Sequence, residues 1–212
     1  MAKLETFAES AREGKKKTRT RAKLMDAALT VIASRGLDLA SVQDIAIEAD
    51  VANGTFYSHF RDKEEIVAAI SHGIATDLAR HMDEGSIDFK DAAHRVAYAT
   101  QRFIQIAVGQ PKWGWLYIHT FYHPKAVKRT SKRHIERDIK LGIEQKRFSV
   151  VPDEYLLNVI LAIIKLAIHA QLTRKKKADE ALTATAAILR VLGMPAAEAE
   201  EISRRAFPGE AD

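Results

Sequence analysis

Apolar side chains recur at helical spacing along most of the chain. The clearest case is a helix predicted over 18–35, which ends before Gly36, a residue suited to a helix C-terminus. Its apolar stripe consists of Leu24, Ala27, Ala28, Val31 and Ile32. These positions lie three or four residues apart, so they share one face of an amphipathic helix.

Two short helices are predicted next. Ser41 is followed three residues later by Asp44, which resembles a capping box and predicts a helix that ends near Ala49. A tight link then leads into a second segment, residues 54–60, which is too short to be stable alone. Residues 41–60 therefore predict a helix-turn-helix packed against its neighbours.

The remainder of the chain also has helical periodicity. Asp62 and Glu65 repeat the capping pattern and begin a helix with the apolar face Ile66, Val67, Ile70, Ile74 and Leu78. Further helices are predicted over 89–108 and 112–123, then in a charged segment that ends at about 145, and over 153–172, 179–192 and 196–207. With 10 Gly and 5 Pro, turn chemistry is too sparse for an all-β fold. The sequence predicts an all-α fold of about nine to ten helices: an N-terminal three-helix domain that contains the helix-turn-helix, then a larger C-terminal helical domain.

Composition narrows the class of protein. The chain of 212 residues has no cysteine, which excludes thiol catalysis, disulfides and cysteine-ligated metals, and suits the cytoplasm. Its N-terminus lacks the apolar segment of an export signal. The helix over 153–172 is almost wholly apolar but contains Asn158, Lys165 and His169, so we expect no membrane span.

The basic charge is concentrated near the N-terminus. Residues 10–23 contain seven basic side chains and one acid, a local charge of +6, whereas the whole chain carries +5. Such a run is either a solvated tail or an arm that contacts phosphates or a minor groove. Because a predicted helix-turn-helix follows directly, we interpret residues 1–17 as a flexible basic arm that contacts DNA.

The outward side of the helix-turn-helix is suited to reading DNA. Its predicted exposed groups are small, polar and uncharged, which suits them to hydrogen bonding with base edges and phosphates. Gly54 permits close approach of the backbone to a phosphate. Within residues 41–66, the stretch G-T-F-Y-S-H-F followed by D-K-E-E-I resembles the signature of the TetR family of bacterial transcriptional regulators.

That resemblance, carried by about residues 18–66, implies a set of DNA contacts. Ser41 would cap its helix against a phosphate, Gln43 and 53–58 would face bases or backbone, and Tyr57, His59 and Lys63 would clamp phosphates. The full predicted set is Arg19, Arg21, Ser41, Val42, Gln43, Asn53, Gly54, Thr55, Tyr57, Ser58, His59 and Lys63. The DNA-binding domain would span 18–65, and residues 66–212 would bind ligand and dimerise.

An aromatic cluster in the second domain lies where the family lines its ligand cavity, although aromatic residues at helical spacing are equally consistent with plain core. The candidate pocket residues are Phe103, Trp113, Trp115, Tyr117, Phe121, Tyr122 and His169. His119 and His123 have the spacing of two metal ligands, but no third ligand is evident. We therefore expect no metal and no cofactor.

The two helices over 153–172 and 179–192 have more apolar surface than one chain covers, which predicts a homodimer through a four-helix bundle. The candidate interface residues are Leu156, Ile160, Ile163, Ala167, Ala181, Ala184 and Ile188. A dimer places two reading helices about 34–36 Å apart on a palindromic operator in double-stranded DNA.

The sequence thus predicts a transcriptional regulator, a repressor released from DNA by a small-molecule effector. The alternative is a helical carrier of lipids or small molecules with a vestigial DNA-binding domain. An enzyme is not expected, because the chain contains no phosphate-binding loop, nucleophile elbow, zinc-protease motif or dinucleotide fingerprint.

Overall fold

The computed structural model describes residues 6–86, 89–120, 130–173 and 179–205. Within these ranges it contains eleven α-helices and no strand, which confirms the predicted all-α class. The helices are α1 (Phe7–Ser10), α2 (Lys16–Arg35), α3 (Val42–Glu48), α4 (Asn53–Tyr57), α5 (Lys63–Ser86), α6 (Ala92–Gly109), α7 (Pro111–Thr120), α8 (Thr130–Glu144), α9 (Glu154–Thr173), α10 (Glu180–Val191) and α11 (Ala196–Arg204).

The chain forms two compact units whose division differs from the predicted boundary after residue 65. One unit is Met1–Asp77 with Gly109–Lys128, and the other is Leu78–Val108 with Arg129–Asp212. The division falls inside α5, because this helix continues for about twenty residues after the helix-turn-helix. Helix α7 belongs to the first unit since it packs on α2, where the Lys112 ammonium donates to Thr30 Oγ1 at 2.9 Å.

The core of the first unit comes from the apolar stripes of α2, α3, α4 and α5. Its fully buried side chains are Leu24, Ile32, Ile45, Phe56, Phe60, Ile66 and Ile70. Each such side chain contributes roughly 1.5–3 kcal/mol when it leaves water. Helices α3 and α4, of seven and five residues, are too short to be stable in isolation, so this shared core holds them in place.

The N-terminal segment differs from the flexible arm that the sequence predicted. Residues 7–10 form α1, and the basic run enters α2 at Lys16. The Asp26 carboxylate accepts hydrogen bonds from the Phe7 and Ala8 backbone N–H groups at 3.0 and 2.8 Å. Because the segment is bound to α2 by these contacts, its described part is docked rather than a free tail.

The second unit is built around α9, α10 and α11. Its fully buried side chains include Ile104, Ile139, Ile168, Ile188 and Leu189. The Gln101 side chain donates to the Ser203 carbonyl at 2.6 Å, and Arg147 bridges Asp91 at 3.1 Å and Glu198 at 2.6 Å. These bonds tie α6 and the segment after α8 to α11.

Most of the predicted dimer residues are covered by their own chain. Five of the seven are already buried within the single chain: Ile160, Ala167, Ala181, Ala184 and Ile188. They lie on α9 and α10, which pack against each other, and α10 also packs against α11. Only Leu156 and Ile163 keep partial exposure. Helical periodicity located the apolar residues correctly, but it does not reveal which of two apolar faces the chain itself covers.

Helix α9 is also the one helix among the described residues that is long and apolar enough to cross a bilayer by length and composition alone, with a mean hydropathy of 1.8. Buried core helices of soluble proteins pass the same test, and the polar Asn158, Lys165 and His169 interrupt its length.

Candidate DNA-binding surface

The start of α3 is fixed by a capping box, as the sequence predicted. Ser41 Oγ accepts from the Asp44 backbone N–H at 3.1 Å, and the Ser41 backbone N–H donates to the Asp44 carboxylate at 3.1 Å. The Ser41 hydroxyl also donates to that carboxylate at 2.6 Å, and this bond lowers the pKa of Asp44. Arg35 pairs with Asp44 at 2.7 Å. Exposed Ser41 and Gln43 and half-buried Val42 therefore stand on a well-defined helix start.

Helix α4, the predicted recognition helix, exposes the polar groups that the sequence assigned to DNA. Asn53, Gly54 and Ser58 are exposed and Thr55 is half-buried. A Cβ on Gly54 would meet no atom within 4 Å, so the space beside it is open. The Ser58 hydroxyl donates to the Thr55 carbonyl at 2.7 Å, which leaves the oxygen of Ser58 available as an acceptor.

Tyr57 and His59 flank this helix in different environments. Tyr57 is 58% exposed and meets the buried Phe56 ring edge-on at 5.5 Å. His59 is half-buried, and its Nδ1 is buried without a hydrogen-bond partner. Burial lowers the pKa of His59, and the charges of Lys17 and Arg21 lower it further. Near neutral pH its ring is uncharged and has an unused polar atom beside two cations.

Two of the residues predicted to contact phosphates already donate hydrogen bonds to backbone carbonyls of the protein. Half-buried Lys63 donates from Nζ to the Leu37 carbonyl at 2.6 Å and to the Ala40 carbonyl at 2.9 Å. Arg19 donates to the Gly14 carbonyl at 3.3 Å. A lysine ammonium has three donors, so two of the three on Lys63 serve the loop before α3.

Arg21 lies over the ring of Phe60, with 4.5 Å between its guanidinium carbon and the ring centroid. A cation held over an aromatic face is stabilised by about 0.5–1 kcal/mol at an exposed site. The pair fixes the guanidinium next to His59, at the end of the recognition helix.

The candidate pocket residues are distributed over both units. In the first unit Trp113 and Tyr117 are buried and Trp115 stacks on His119 at 5.6 Å; burial raises the pKa of Tyr117. In the second unit Phe103 is buried on α6, whereas His169 is exposed on α9. Phe121 and Tyr122 lie outside the described residues, so the pocket remains a prediction.

The possible pair of histidine metal ligands also remains a prediction, because His123 lies outside the described residues. Among the residues that are described, no three His, Asp or Glu side chains cluster as metal ligands.

Sequence reasoning did not identify one groove in the second unit. It has a volume of about 690 Å³ and is lined by Arg95, Glu136, Arg137, Asp138, Lys140, Leu141 and Glu144. Asp138 at its base is paired with Arg95 at 3.1 Å and with Arg137 at 3.3 Å. The charged residues that line it alternate in sign along α8. In the sequence, such a pattern looks the same as an ordinary solvated helix face.

Two family models match the chain. Residues 24–70 match the model described as "Bacterial regulatory proteins, tetR family", and residues 91–205 match "Tetracyclin repressor-like, C-terminal domain". The first match covers α3, α4 and most of α2. The second covers α6 to α11.

Individual relatives agree with these matches. The HTH-type transcriptional repressor KstR2 of Rhodococcus jostii is 42% identical over 62 residues, and the uncharacterised HTH-type regulator YvdT of Bacillus subtilis is 43% identical over 54. These alignments cover 29% and 26% of this chain and only 30% and 28% of the relatives. The crystal structure of RolR with resorcinol has a TM-score of 0.72 at 27% identity, covering 92% of this chain and 98% of RolR.

Proposed function

The chain belongs to the TetR family of bacterial regulatory proteins, and from this premise we propose that it represses transcription from a palindromic operator and is released by a small-molecule effector. The observation that carries the proposal is the surface of α4 and its C-cap: Asn53, Gly54, Thr55 and Ser58 present small polar groups, and the next residue, His59, lies near the cations Lys17 and Arg21 of α2. Neutral polar groups read base edges, and the cations bind the backbone.

The capping box at Ser41 fixes the start of α3, the helix that packs against α4. A reading helix of five residues contacts few base pairs, so one copy binds weakly. Two copies on a palindrome contact twice as many bases and phosphates. Affinity and specificity therefore depend on a homodimer.

We assign the dimer to the outward stripe of α9 in place of the buried residues that the sequence suggested. Tyr155 is 77% exposed and Leu166 is 69% exposed, and Ala162 and His169 are exposed between and after them. These positions recur every three, four or seven residues, as in a helix seam that packs against a partner helix. Large apolar side chains exposed to this degree favour an interface.

The effector is a small organic molecule bound by the aromatic residues of α7, in the first unit. RolR, whose structure contains resorcinol, is similar to this chain over nearly its full length. Such a ligand need only bind the DNA-incompetent state more tightly; about 2.7 kcal/mol of difference weakens operator binding a hundredfold.

In vitro selection of DNA bound by the full chain tests the function. We expect an enriched palindrome with half-sites about one helical turn apart. Thr55→Ala should change the preferred half-site, while Thr183→Ala, an exposed substitution on α10, should leave it unchanged. Selection without any enriched sequence would contradict a sequence-specific regulator.

The two tryptophans of the chain provide an effector assay, because Trp113 and Trp115 both lie on α7. We expect a small aromatic effector to change their fluorescence and to release the selected duplex at the same concentration. Trp115→Phe is the control for a signal from the half-exposed ring alone. If compounds that release DNA leave the fluorescence unchanged, the aromatic pocket is excluded.

A further inference from the structure

The N-terminal helix α1 is ordered although it has only four residues. Its start is a capping box: the Glu9 backbone N–H donates to Thr6 Oγ1 at 3.2 Å, and the Thr6 backbone N–H donates to the Glu9 carboxylate at 2.7 Å. A helix of one turn is unstable alone, because the conformational entropy lost in nucleation exceeds the free energy gained from the hydrogen bonds of a single turn. Its order therefore depends on contacts with the rest of the first unit.

Two contacts dock α1. The Asp26 carboxylate on α2 accepts from the Phe7 and Ala8 N–H groups, at 3.0 and 2.8 Å. The Phe7 ring lies on Gly73 of α5, where a Cβ would come within 2.5 Å of the ring atom Cε1. The missing side chain of Gly73 thus makes the space that the ring occupies.

The turn from α1 to α2 is closed as well. The Gly14 N–H donates to the Ala11 carbonyl at 2.9 Å, and the Arg19 guanidinium donates to the Gly14 carbonyl at 3.3 Å. This turn and the first residues of α2 expose four basic side chains. We call these residues the basic turn: Arg12, Lys15, Lys16 and Lys17.

The basic turn lies at the N-terminus of α2, where positive side chains are electrostatically unfavourable. Lys15 is the N-cap of α2 without a side-chain capping bond, and the first turn of α2 contains no acid. Cations at a helix N-terminus oppose the positive end of the helix dipole. A bound anion would relieve this repulsion.

The basic turn also adjoins the recognition surface. Lys17 and Arg21 lie one helical turn apart on α2, and both are close enough to act on the charge state of His59. Arg21 is held over Phe60, at the end of the recognition segment. Positive charge therefore continues from the basic turn to the helix-turn-helix.

We propose that residues 6–17 form a docked strap, held by Asp26 and by the Phe7–Gly73 contact, that fixes the basic turn as a preformed DNA phosphate-binding extension of the helix-turn-helix. The inference rests on the proposed function and names a further part of its DNA surface. A preformed extension loses little conformational freedom when DNA binds, whereas a free arm loses much more.

Salt dependence tests the phosphate contacts. The chain with Lys15→Gln, Lys16→Gln and Lys17→Gln should lose about 2–3 from the slope of log K against log salt, because each phosphate contact contributes about 0.9. Lys140→Gln, an exposed lysine on α8, is the charge control and should keep the wild-type slope. If the triple variant keeps the wild-type slope, the basic turn does not contact DNA.

Docking is tested with two opposite changes at one contact. Phe7→Ala removes the ring, and Gly73→Ala places a methyl group where the ring lies; each should weaken DNA binding by about tenfold without changing the salt slope, because the charges remain. In the Phe7→Ala background, Gly73→Ala should have no further effect, since the two residues act through one contact. If both single variants bind DNA with wild-type affinity, the proposal of a docked strap is wrong.

Alanine is a better helix former than glycine, so Gly73→Ala keeps α5 folded and makes the result independent of instability. All variants are measured on the selected operator and on a scrambled duplex. If the wild-type chain does not distinguish these duplexes, the proposed function fails, yet the slope and affinity changes on the scrambled duplex still decide whether the strap contacts phosphates.

Discussion

The ammonium of Lys63 donates a 2.9 Å hydrogen bond to the carbonyl oxygen of Ala40, the residue directly before the cap of α3. A second bond, of 2.6 Å, joins the same ammonium to the Leu37 carbonyl. Lysine at the start of α5 therefore holds the loop that presents Ser41. This internal role differs from the phosphate clamp that the resemblance implied.

We predict that Lys63→Gln lowers the free energy of unfolding by about 1–3 kcal/mol, because hydrogen bonds to a charged donor are lost in a half-buried site. The slope of log K against log salt should change by much less than the 0.9 that one phosphate contact contributes. Lys17→Gln is the matched control and should reduce the slope without a comparable loss of stability. If Lys63→Gln instead reduces the slope by the full contribution of one phosphate contact, Lys63 binds a DNA phosphate.

Local signals in the sequence predicted local structure well. The Ser41–Asp44 box is present, and the Glu65 N–H donates to Asp62 Oδ1 at 2.7 Å as the second capping pattern implied. Helix α1 has the same signal, Thr6 followed by Glu9, and that spacing could have revealed it. It was not predicted because one turn has no apolar stripe.

Contacts between distant residues could not be predicted in this way. Lys63 bonds to carbonyls 23 and 26 residues away, and nothing in its neighbours specifies those partners. The same limit applies to the predicted dimer residues, because Ile160 and Leu166 are equally apolar in the sequence. Only the packing of α9 on α10 decides that Ile160 is buried and Leu166 is exposed.

The turn between α3 and α4 contains a strained residue. Asp50 has a φ of +50° in the left-handed region, where the Val51 N–H donates to the Ala46 carbonyl at 3.0 Å to close the helix end. This position favours glycine, so Asp50→Gly should raise the free energy of unfolding by about 0.5–1 kcal/mol. The exposed ion pair with Lys23, at 3.8 Å, contributes little in the wild type.

Thermal unfolding measures this change. Asp50→Asn, a residue that tolerates the same backbone conformation, should be at least neutral, and Asp50→Val should be destabilising. Lys146, with a φ of +58° in the second unit, offers a parallel test through Lys146→Gly. A lower melting temperature for both glycine variants would show that these side chains contribute more than their backbone strain costs.

The pH dependence of DNA binding should depend on the protonation of His59. Burial first, then the charges of Lys17 and Arg21, lower its pKa from 6.5 in the folded chain. The unfolded chain then binds more protons, so this contribution to stability is complete above pH 6.5 and is lost as the pH falls through the lowered pKa. A DNA phosphate close to the ring acts in the opposite direction, because its negative charge favours the protonated ring.

We therefore expect operator affinity to rise as the pH falls from about 7.5 to 6, with proton uptake that disappears in His59→Gln. Nuclear magnetic resonance of the His59 ring should give a pKa below 6.5 in the free protein and a higher one with DNA. His72→Gln, an exposed histidine on α5, is the control. Equal pH dependence in wild type and His59→Gln would remove His59 from the phosphate contacts.

The oligomeric state should depend on the outward stripe of α9. Leu166 is 69% exposed in the single chain, so Leu166→Glu leaves the chain folded but places a charge in the proposed seam, where burial without a partner is costly. Sedimentation of the wild type should give twice the 23.6 kDa chain mass, and Leu166→Glu should give one chain mass with unchanged helicity. Leu39→Glu, at a residue 76% exposed in the first unit, is the matched control and should remain dimeric. Leu166→Glu should also lower operator affinity, because each monomer then binds a single half-site. A dimeric Leu166→Glu variant would locate the interface elsewhere.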